Sequence, residues 1–358
     1  MNGDALVIAG TPIAPGERQT VRIPVAKRMT SGQVEIPACV VRGRRPGPVL
    51  FVCAALHGDE INGTAIVREL LRMPQIRRIA GTLIAVPVVN VYGFIAHNRY
   101  LPDRRDLNRS FPGSPTGSLA SRLANAFVTE VMEKSTHGID LHTGSLHRAN
   151  LPQVRAMLDS KEIVGMARAF GTPVVLDSAL REGSLRSTAH QHGIPTVVYE
   201  AGEALRFDEF AIRAGLRGVV SVMRELGMLQ RTRKPPKQRE PYVARGSQWV
   251  RAPETGVLVS RVKLGARVQK GSVLGAISDP LGEEETLIRS PIHGVLIGRA
   301  NLPLCNEGDA LFHIASFQRT RSVAEDVESF RGGVVAGPER LEPARPRERA
   351  GGLVGSGA

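Results

Sequence analysis

The sequence predicts an α/β domain with a mixed, mostly parallel sheet and helices on both faces, followed by a small all-β module. Two patterns lead to this prediction. Between residues 46 and 230, apolar runs of strand length alternate with amphipathic stretches of helix length, which is typical of a sheet covered by crossover helices. Between residues 247 and 316, short strand-like runs are separated by glycine-containing turns, which indicates a module built from strands.

The clearest elements lie in the main domain. Strands are predicted at residues 49–56, 81–89, 138–142, 173–176 and 195–200. Helices are predicted at residues 63–71, 119–132, 161–169 and 207–226. Residues 1–45 combine alternation with turns, so we expect an N-terminal extended segment that packs on the main domain.

Two stretches are expected to lack a fold of their own. Residues 231–246 contain a basic run with a Pro-Pro pair and no apolar periodicity, which is typical of a solvated linker. Residues 317–358 are rich in Gly, Pro, Arg and Glu. We expect a disordered tail there, because too little apolar surface is available to offset the entropy of ordering.

The β module contains a weak internal repeat. Residues 253–258 match residues 291–296, and residues 271–274 match residues 308–311. Two similar halves of this kind resemble the barrel-sandwich hybrid of biotinyl and lipoyl carrier domains, which display a modifiable lysine on a hairpin tip. The corresponding tip at residues 279–282 has no lysine. We therefore expect a structural or substrate-shaping module.

Composition excludes several classes of protein. The net charge is +13 and the pI is about 10.4, which permits anionic partners. The arginines are nevertheless spread along the chain without a helix-length basic stripe or a known nucleic-acid module, so no nucleic-acid partner is expected. No run of about eighteen apolar residues occurs, so no membrane partner is expected either.

Cysteine usage and the first residues indicate the compartment. The three cysteines, Cys39, Cys53 and Cys305, form no CxxC pair, and their odd number argues against a disulfide framework. Residues 1–15 lack the basic stretch followed by an apolar stretch that marks a signal peptide. A cytoplasmic enzyme is the simplest interpretation.

A candidate metal site begins at His57-Gly58-Asp59-Glu60, which directly follows the first predicted strand of the main domain. If a helix begins there, His57 and Glu60 lie one turn apart, roughly 5–6 Å between Cβ atoms. The alternative is that His57 and Glu60 are surface groups at a helix start, where the charge of Glu60 is favourable. Asp59 is assigned to capping or to the surroundings of the site rather than to the metal.

A second histidine completes the candidate set. His142 ends the strand predicted at residues 138–142, and Asp140 lies two residues before it on the same side. Two histidines and one glutamate form the ligand set of a catalytic zinc with an open position. A buried histidine bonded to Asp140 is the alternative. His137, His147, His190, His192 and His293 are weaker candidates.

Two further segments carry candidate functional groups. The loop at residues 99–113 is irregular and dense in arginine, the residue suited to bidentate carboxylate recognition and to stabilising an oxyanion. Glu200 ends another predicted strand. A glutamate beside a zinc-activated water can take its proton and pass it to a leaving amine, although a glutamate at such a position, taken alone, is more often a charge at a helix start than a base.

Four ordered motifs together resemble the succinylglutamate desuccinylase/aspartoacylase family, which is similar in fold and site to zinc carboxypeptidases. The first motif is the His-Gly-Asp-Glu segment at residues 57–60. The others are Asp-Leu-Asn-Arg at 106–109 with Phe-Pro-Gly at 111–113, Asp-Leu-His-Thr-Gly at 140–144, and Tyr-Glu-Ala-Gly at 199–202. The resemblance covers roughly residues 45–230 and implies that residues 46–230 are a zinc-dependent catalytic domain.

The resemblance also implies a role for each matching residue. His57, Glu60 and His142 would hold one Zn²⁺ ion. Glu200 would act first as general base and then as acid, with Arg99 polarising the scissile carbonyl. Asn108 and Arg109 would grip the substrate carboxylate. Glu203 stands where the family often has the second glycine after the base, which leaves the acyl or amine specificity open.

The function implied is hydrolysis of the amide bond of a small N-acylated amino acid, releasing a carboxylic acid and a free amine. One alternative is a carboxypeptidase-like peptidase acting on a short or glutamyl peptide. Another is a non-catalytic zinc-dependent binding protein, although such a protein needs neither Glu200 nor Arg99. Arg181, Arg186 and Arg206 either line the pocket or lie on the surface, and the surface position is favoured for each. The β module permits a homo-oligomer.

Overall fold

The structure is a computed structural model that describes residues 6–27, 30–231, 240–317 and 320–336. The strands are β1 Leu6–Ile8, β2 Thr11–Ile13, β3 Arg18–Lys27, β4 Gln33–Arg42, β5 Arg45–Ala54, β6 Ala80–Val86, β7 His137–Gly144, β8 Arg148–Ala156, β9 Val174–Asp177, β10 Thr196–Glu203, β11 Tyr242–Ala244, β12 Gly246–Arg251, β13 Gly256–Ser260, β14 Arg267–Val268, β15 Val273–Ser278, β16 Glu285–Arg289, β17 Gly294–Ala300, β18 Leu304–Cys305 and β19 Ala310–Ser316. The helices are α1 Asn62–Arg72, α2 Val91–Ile95, α3 Leu119–Phe127, α4 Lys161–Phe170, α5 Leu185–Gln191, α6 Glu209–Glu225 and α7 Thr320–Ala336.

One large mixed sheet organises the molecule. Its strands follow the order β12-β19-β17-β8-β10-β7-β5-β6-β4-β3. The central strands β10, β7, β5 and β6 are parallel, whereas β8 and β4 flank them in antiparallel pairing. The predicted mixed α/β architecture is confirmed. The expected parallel pairing is found in these central strands. The hairpin of β3 and β4 and the strands β17, β19 and β12 of the β module extend the sheet by antiparallel pairing.

Helices cover both faces of this sheet, and successive side chains of β5 pack against them on alternate faces. Leu50 and Val52 face one apolar cluster with residues of α1, α4 and α6. Phe51 and Cys53 face a second cluster with residues of α3 and α5. Because successive side chains of a strand point to opposite faces, the continuous apolar run at residues 49–56 is explained by burial on both sides.

Strands of the β module join the main sheet directly. β17 pairs with β8, while β12 and β19 extend the sheet further. The remaining strands of the module include a four-stranded sheet in the order β16-β15-β13-β18. The module therefore lies beside β8, at one side of the central strands that end at the candidate site.

The linker predicted at residues 231–246 is wrong at its C-terminal end. Tyr242–Ala244 form β11, which pairs in parallel with β9, and β12 begins at Gly246. Tyr242 also donates its hydroxyl to Asp326 at 2.9 Å. The prediction rested on the basic and proline residues and missed the short strand that follows them. Residues 232–239 lie outside the described residues.

The tail predicted to be disordered from residue 317 is also wrong in part, because Thr320–Ala336 form α7. Val323, Val327 and Val334 are buried, the first two against apolar residues of β8 and β17. Their spacing of four and seven residues places them on one helix face. The prediction missed this apolar face because charged residues lie between the three valines. Residues 337–358 lie outside the described part. Within the described residues, no helix has both the length and the apolar character needed to cross a membrane.

Packing of α7 gives a stability prediction. Val327 is fully buried, so Val327→Asp is expected to lower the free energy of unfolding by about 3–5 kcal/mol, the cost of an uncompensated buried charge. The matched control is Val259→Asp, since Val259 is 56% exposed on β13, with an expected loss below about 1 kcal/mol. Urea unfolding curves measure both. Equal effects of the two substitutions would contradict the packing of α7.

Candidate active site

The candidate site lies where β5, β7 and β10 end side by side. A cavity of about 660 Å³ opens there, and its lining includes His57, Glu60, His142 and Glu200. Register pairing places Glu200 of β10 directly beside His142 of β7. Because the carboxyl ends of parallel strands meet at one edge of the sheet, residues more than a hundred positions apart line one cavity.

His57 and Glu60 lie in a turn, not in a helix. The turn is closed by a hydrogen bond from the Glu60 N–H to the His57 carbonyl at 3.1 Å, and α1 begins only at Asn62. The condition that a helix begins at His57 is therefore not met, whereas the helix predicted at residues 63–71 is confirmed as α1. Gly58 allows the turn to approach α2 closely, because a Cβ at that position would lie 1.9 Å from the Gly93 carbonyl carbon.

The turn brings the candidate metal ligands together. His57 Nδ1 lies 2.8 Å from Glu60 Oε1, and His142 Nδ1 lies 2.8 Å from Glu60 Oε2. One ligand atom from each of the three residues lies within 4.8 Å of the others. All three side chains are buried, and Glu60 is only 1% exposed. This group can hold a metal ion.

A carboxylate holds the second ring nitrogen of each histidine. Asp106 Oδ1 lies 3.1 Å from His57 Nε2, and Asp140 Oδ2 lies 2.8 Å from His142 Nε2. Asp140 also accepts a hydrogen bond from the Cys53 thiol at 3.4 Å. Such partners fix the orientation and tautomer of a ligating imidazole, so the Nδ1 atoms of both rings are directed at the shared carboxylate.

The electrostatics of the cluster favour a cation. Burial alone would raise the pKa of Glu60, but the adjacent His57 and His142 hold that pKa well below its usual value. Burial opposes a charge on His142, but Asp140 and then Glu60 raise its pKa well above the usual value. A buried carboxylate that keeps its charge between two imidazoles is a donor set that fits Zn²⁺.

Arg99 is part of the same network. Its Nη1 donates to Glu60 Oε1 at 3.3 Å, and its Nη2 donates to Asp106 Oδ2 at 2.9 Å. Asn90 caps α2 and donates its side-chain N–H to the Arg99 carbonyl, which anchors the loop. Despite burial, Glu60 and Asp106 raise the Arg99 pKa, so a permanent positive charge stands beside the candidate ligands.

Glu200 is held by two residues of β8. Asn150 Nδ2 donates to Glu200 Oε2 at 2.5 Å. Arg155 Nε lies 3.2 Å from Glu200 Oε1, but its N–H is not in hydrogen-bonding geometry, so this contact is an ion pair. The Glu200 carboxylate therefore faces the cavity without bonding to the His57–Glu60–His142 group.

Asn108 and Arg109 also line the cavity, on a 3-10 turn that spans Leu107–Arg109. Asn108 Oδ1 accepts a hydrogen bond from the Leu185 N–H at the start of α5, at 3.0 Å. The Arg109 guanidinium donates to the Asn108 carbonyl. Partial burial and the nearby Arg181 lower the Arg109 pKa, which indicates a wall that carries an excess of positive charge.

Arg181 and Arg186 also line the cavity, where Arg181 is exposed, as favoured, and Arg186 is half-buried. Arg206 instead lies outside it, 3.4 Å from Glu203 Oε2. Glu203 is buried, accepts from Asn301 of the β module at 2.8 Å, and does not line the cavity. At the position where the family often has a second glycine, Glu203 therefore links β10 to the β module through Asn301.

Several residues of the site were not predicted. Asn150 and Arg155 lie on β8, which was itself not predicted because Pro152 interrupts its pattern. Trp249 and Arg251 reach the cavity from β12 of the β module. The anchoring role of Asp106 had a detectable signal, since it begins the Asp-Leu-Asn-Arg block at residues 106–109.

Comparison with known proteins agrees with this architecture. The family model for the succinylglutamate desuccinylase/aspartoacylase catalytic domain matches residues 46–226. The chain therefore belongs to the succinylglutamate desuccinylase/aspartoacylase family, and the resemblance seen in its sequence motifs is confirmed.

Individual relatives are similar over most of their length. The N-alpha-acetyl-L-2,4-diaminobutyric acid deacetylase of Halomonas elongata is 27% identical over 308 residues, which cover 82% of this chain and 90% of the relative. The product-bound ectoine utilization protein EutE (DoeB) of Ruegeria pomeroyi is similar in structure, with a TM-score of 0.76, 25% identity, and coverage of 85% of this chain and 98% of that one. A succinylglutamate desuccinylase/aspartoacylase from Rhodobacter sphaeroides has a TM-score of 0.75 and 25% identity over 84% of this chain and 96% of its own.

Proposed function

We propose that the protein hydrolyses the amide bond of a small N-acylated amino acid, using Zn²⁺ held by His57, Glu60 and His142. The observation that carries this proposal is the placement of Glu200 and Arg99 in one cavity with the ligand group. Family membership and the deacetylase relative support amide hydrolysis. When bound, zinc supplies a Lewis acid and lowers the pKa of a coordinated water towards about 7.

Glu200 is the proposed proton carrier. Its carboxylate lies near the end of β10, beside His142, and lines the cavity. It takes a proton from the attacking water and later gives that proton to the departing amine, as a general base followed by an acid. The contacts from Asn150 and Arg155 hold the carboxylate in place for both transfers.

Arg99 is the proposed group that polarises the scissile carbonyl. Its guanidinium is fixed by Glu60 and Asp106 and lines the same cavity. A fixed positive charge next to the carbonyl oxygen stabilises the negative charge that develops there during attack. No rearrangement of the arginine is needed, because its two carboxylate partners already define its position.

Asn108 and Arg109 are the proposed grip for the substrate carboxylate. The planar guanidinium of arginine matches a carboxylate in a bidentate manner. The cavity of about 660 Å³ falls in the range of small-molecule sites. Trp249, Arg251 and Ala310 of the β module form part of its wall, which favours a small substrate over the extended chain that a carboxypeptidase-like enzyme binds.

The test is release of free amine from N-acetyl, N-succinyl and N-formyl amino acids and from γ-glutamyl peptides. We expect turnover of N-acyl amino acids by zinc-loaded protein, loss of turnover on chelation, and recovery with added zinc. The reason is that Zn²⁺ provides the activated water. Turnover of the peptides alone would replace this proposal with the peptidase. Bound zinc without turnover of any of these substrates would favour a binding protein.

A further inference from the structure

We propose that a second cavity, at the edge of the sheet opposite the candidate active site, binds a small ligand that carries two or more linked phosphate groups. Within the described part of the chain, four arginines and no acidic residue line this cavity of about 870 Å³. The proposal goes beyond the proposed function and does not depend on it, because none of the described residues lines both cavities.

The position of this cavity follows from the path of the chain. α1 follows the carboxyl end of β5 and returns to the opposite edge of the sheet, where a 3-10 turn at Pro74–Arg78 leads into β6. α6 follows β10 and ends at the same edge, since the Ala80 N–H at the start of β6 donates to the Met228 carbonyl at 2.9 Å. The cavity therefore lies where the parallel strands begin, whereas the candidate active site lies where they end.

Three segments supply the positive charge of this cavity. Arg72 lies in the last turn of α1, and Arg224 lies in the last turn of α6. Arg77 and Arg78 end the 3-10 turn. The C-terminal end of a helix favours a nearby cation, which explains one arginine at each end separately. It does not require that four guanidinium groups line one cavity, so their convergence indicates a ligand of opposite charge.

Most of this charge has no partner in the protein. Arg72 Nη1 donates to Glu69 Oε1 at 3.4 Å, and the same oxygen accepts from Arg68 Nε at 3.1 Å. Within the described residues, the other three guanidinium groups have neither a hydrogen bond nor a carboxylate oxygen within 4.0 Å: Arg77, Arg78 and Arg224. Each guanidinium group carries five N–H donors. Three positive charges and their donors are consequently available to a ligand.

The backbone holds these like charges close together. Ile76, in the middle of the 3-10 turn, is fully buried, and its N–H donates to the Met73 carbonyl at 3.1 Å. Met228 is also fully buried, and its N–H donates to the Met223 carbonyl of α6 at 2.8 Å. Because close packing of these side chains fixes both segments, the arginines cannot separate by a shift of the backbone. An anion with several negative charges would offset their repulsion.

The lining indicates the chemistry of the ligand. A guanidinium group matches a phosphate through two parallel hydrogen bonds, and arginines on three segments can hold more than one phosphate at once. Pro74 and Leu229 add apolar surface, while Gln75 and Gln230 add amide donors and acceptors. The volume falls in the range of small-molecule sites. A linked oligophosphate fits the arginines, either as an inorganic ion or as part of a nucleotide whose base meets the apolar and amide groups.

Equilibrium dialysis of the zinc-loaded protein tests the proposal, with adenosine triphosphate and inorganic triphosphate as the probes. We expect saturable binding of both probes. Orthophosphate should bind more weakly by on the order of 10-fold or more, because it makes fewer charge-assisted hydrogen bonds. Tighter binding of adenosine triphosphate than of triphosphate would support a nucleotide as the ligand, and equal binding would support an inorganic oligophosphate. Equal affinity for orthophosphate would overturn the proposal.

Variants locate the bound probe. Arg77→Gln and Arg78→Gln are each expected to raise the dissociation constant of adenosine triphosphate by on the order of 10–100-fold, the value of charge-assisted hydrogen bonds to one arginine. Both side chains are exposed, so the fold should tolerate the change. The matched control is Arg68→Gln. Arg68 lies on α1 one turn before Arg72 and does not line the cavity, so its loss should change the constant by less than about 3-fold.

Arg109→Gln distinguishes this cavity from the candidate active site, which Arg109 lines. Binding should persist in that variant. Loss of binding in Arg109→Gln, or unchanged binding in Arg77→Gln and Arg78→Gln, would overturn the proposal. Equal binding of a hexaglutamate peptide, or tighter binding of a single-stranded oligonucleotide through the same arginines, would indicate a general contact surface for polyanions and would overturn it as well. None of these assays measures release of amine, so the proposed function and this proposal can fail separately.

Discussion

Glu200→Gln is expected to lower kcat by about 10²–10⁴-fold, the usual contribution of general acid–base catalysis, while the metal content stays at the wild-type value. The carboxylate faces the cavity and contacts Asn150 and Arg155, not the His57–Glu60–His142 group. Glutamine is close in shape but cannot take a proton. Steady-state release of amine and metal analysis on the same preparation measure the two quantities.

A second carboxylate on the same strand provides the control. Glu203 is buried three residues further along β10, bonds to Asn301 of the β module and lies outside the cavity lining. Glu203→Gln should retain hydrolysis, because an amide can still bond to Asn301. A Glu200→Gln enzyme with a near wild-type rate, or a Glu203→Gln enzyme that alone loses activity, would show that Glu200 is not the base.

Local pattern was sufficient to predict the candidate ligands. His57 directly follows an apolar run with Glu60 three residues later, and His142 lies in a second strand-like run; the two runs form the central strands β5 and β7. The strand ends were therefore predictable, and so was the meeting of their side chains at one edge. The conformation between His57 and Glu60 was not, because a turn and a helical turn both place residues i and i+3 close together.

The wall of the cavity could not be predicted in the same way. Asn150 and Arg155 lie on β8, whose apolar positions are interrupted by Pro152 and by arginines. Trp249 and Arg251 reach the site through the pairings of β12 with β19, β19 with β17, and β17 with β8. Contacts between strands about a hundred residues apart leave no periodic signal in either segment, so only the tertiary structure shows them.

The metal ligands are the second place where a large effect is expected. His142→Ala should abolish stoichiometric zinc binding, and hydrolysis should be lost with it. Asp140→Asn should weaken zinc binding less, by about 10–100-fold, the usual effect of changing a residue that orients a ligand. The difference follows from position, since His142 Nδ1 faces Glu60 whereas Asp140 contacts only the far nitrogen of the ring. Dialysis against buffered zinc followed by metal analysis gives both affinities.

His137 on the same strand distinguishes loss of a ligand from damage to β7. It begins β7, its Nδ1 lies 2.8 Å from the Thr136 hydroxyl, and it does not line the cavity. His137→Gln should keep full zinc content and activity. The two histidines differ chiefly in which end of β7 they lie near. If His142→Ala bound zinc as tightly as the wild type, the assignment of the ligand group to the ends of β5 and β7 would be wrong. Equal loss of zinc in His137→Gln would contradict it in the same way.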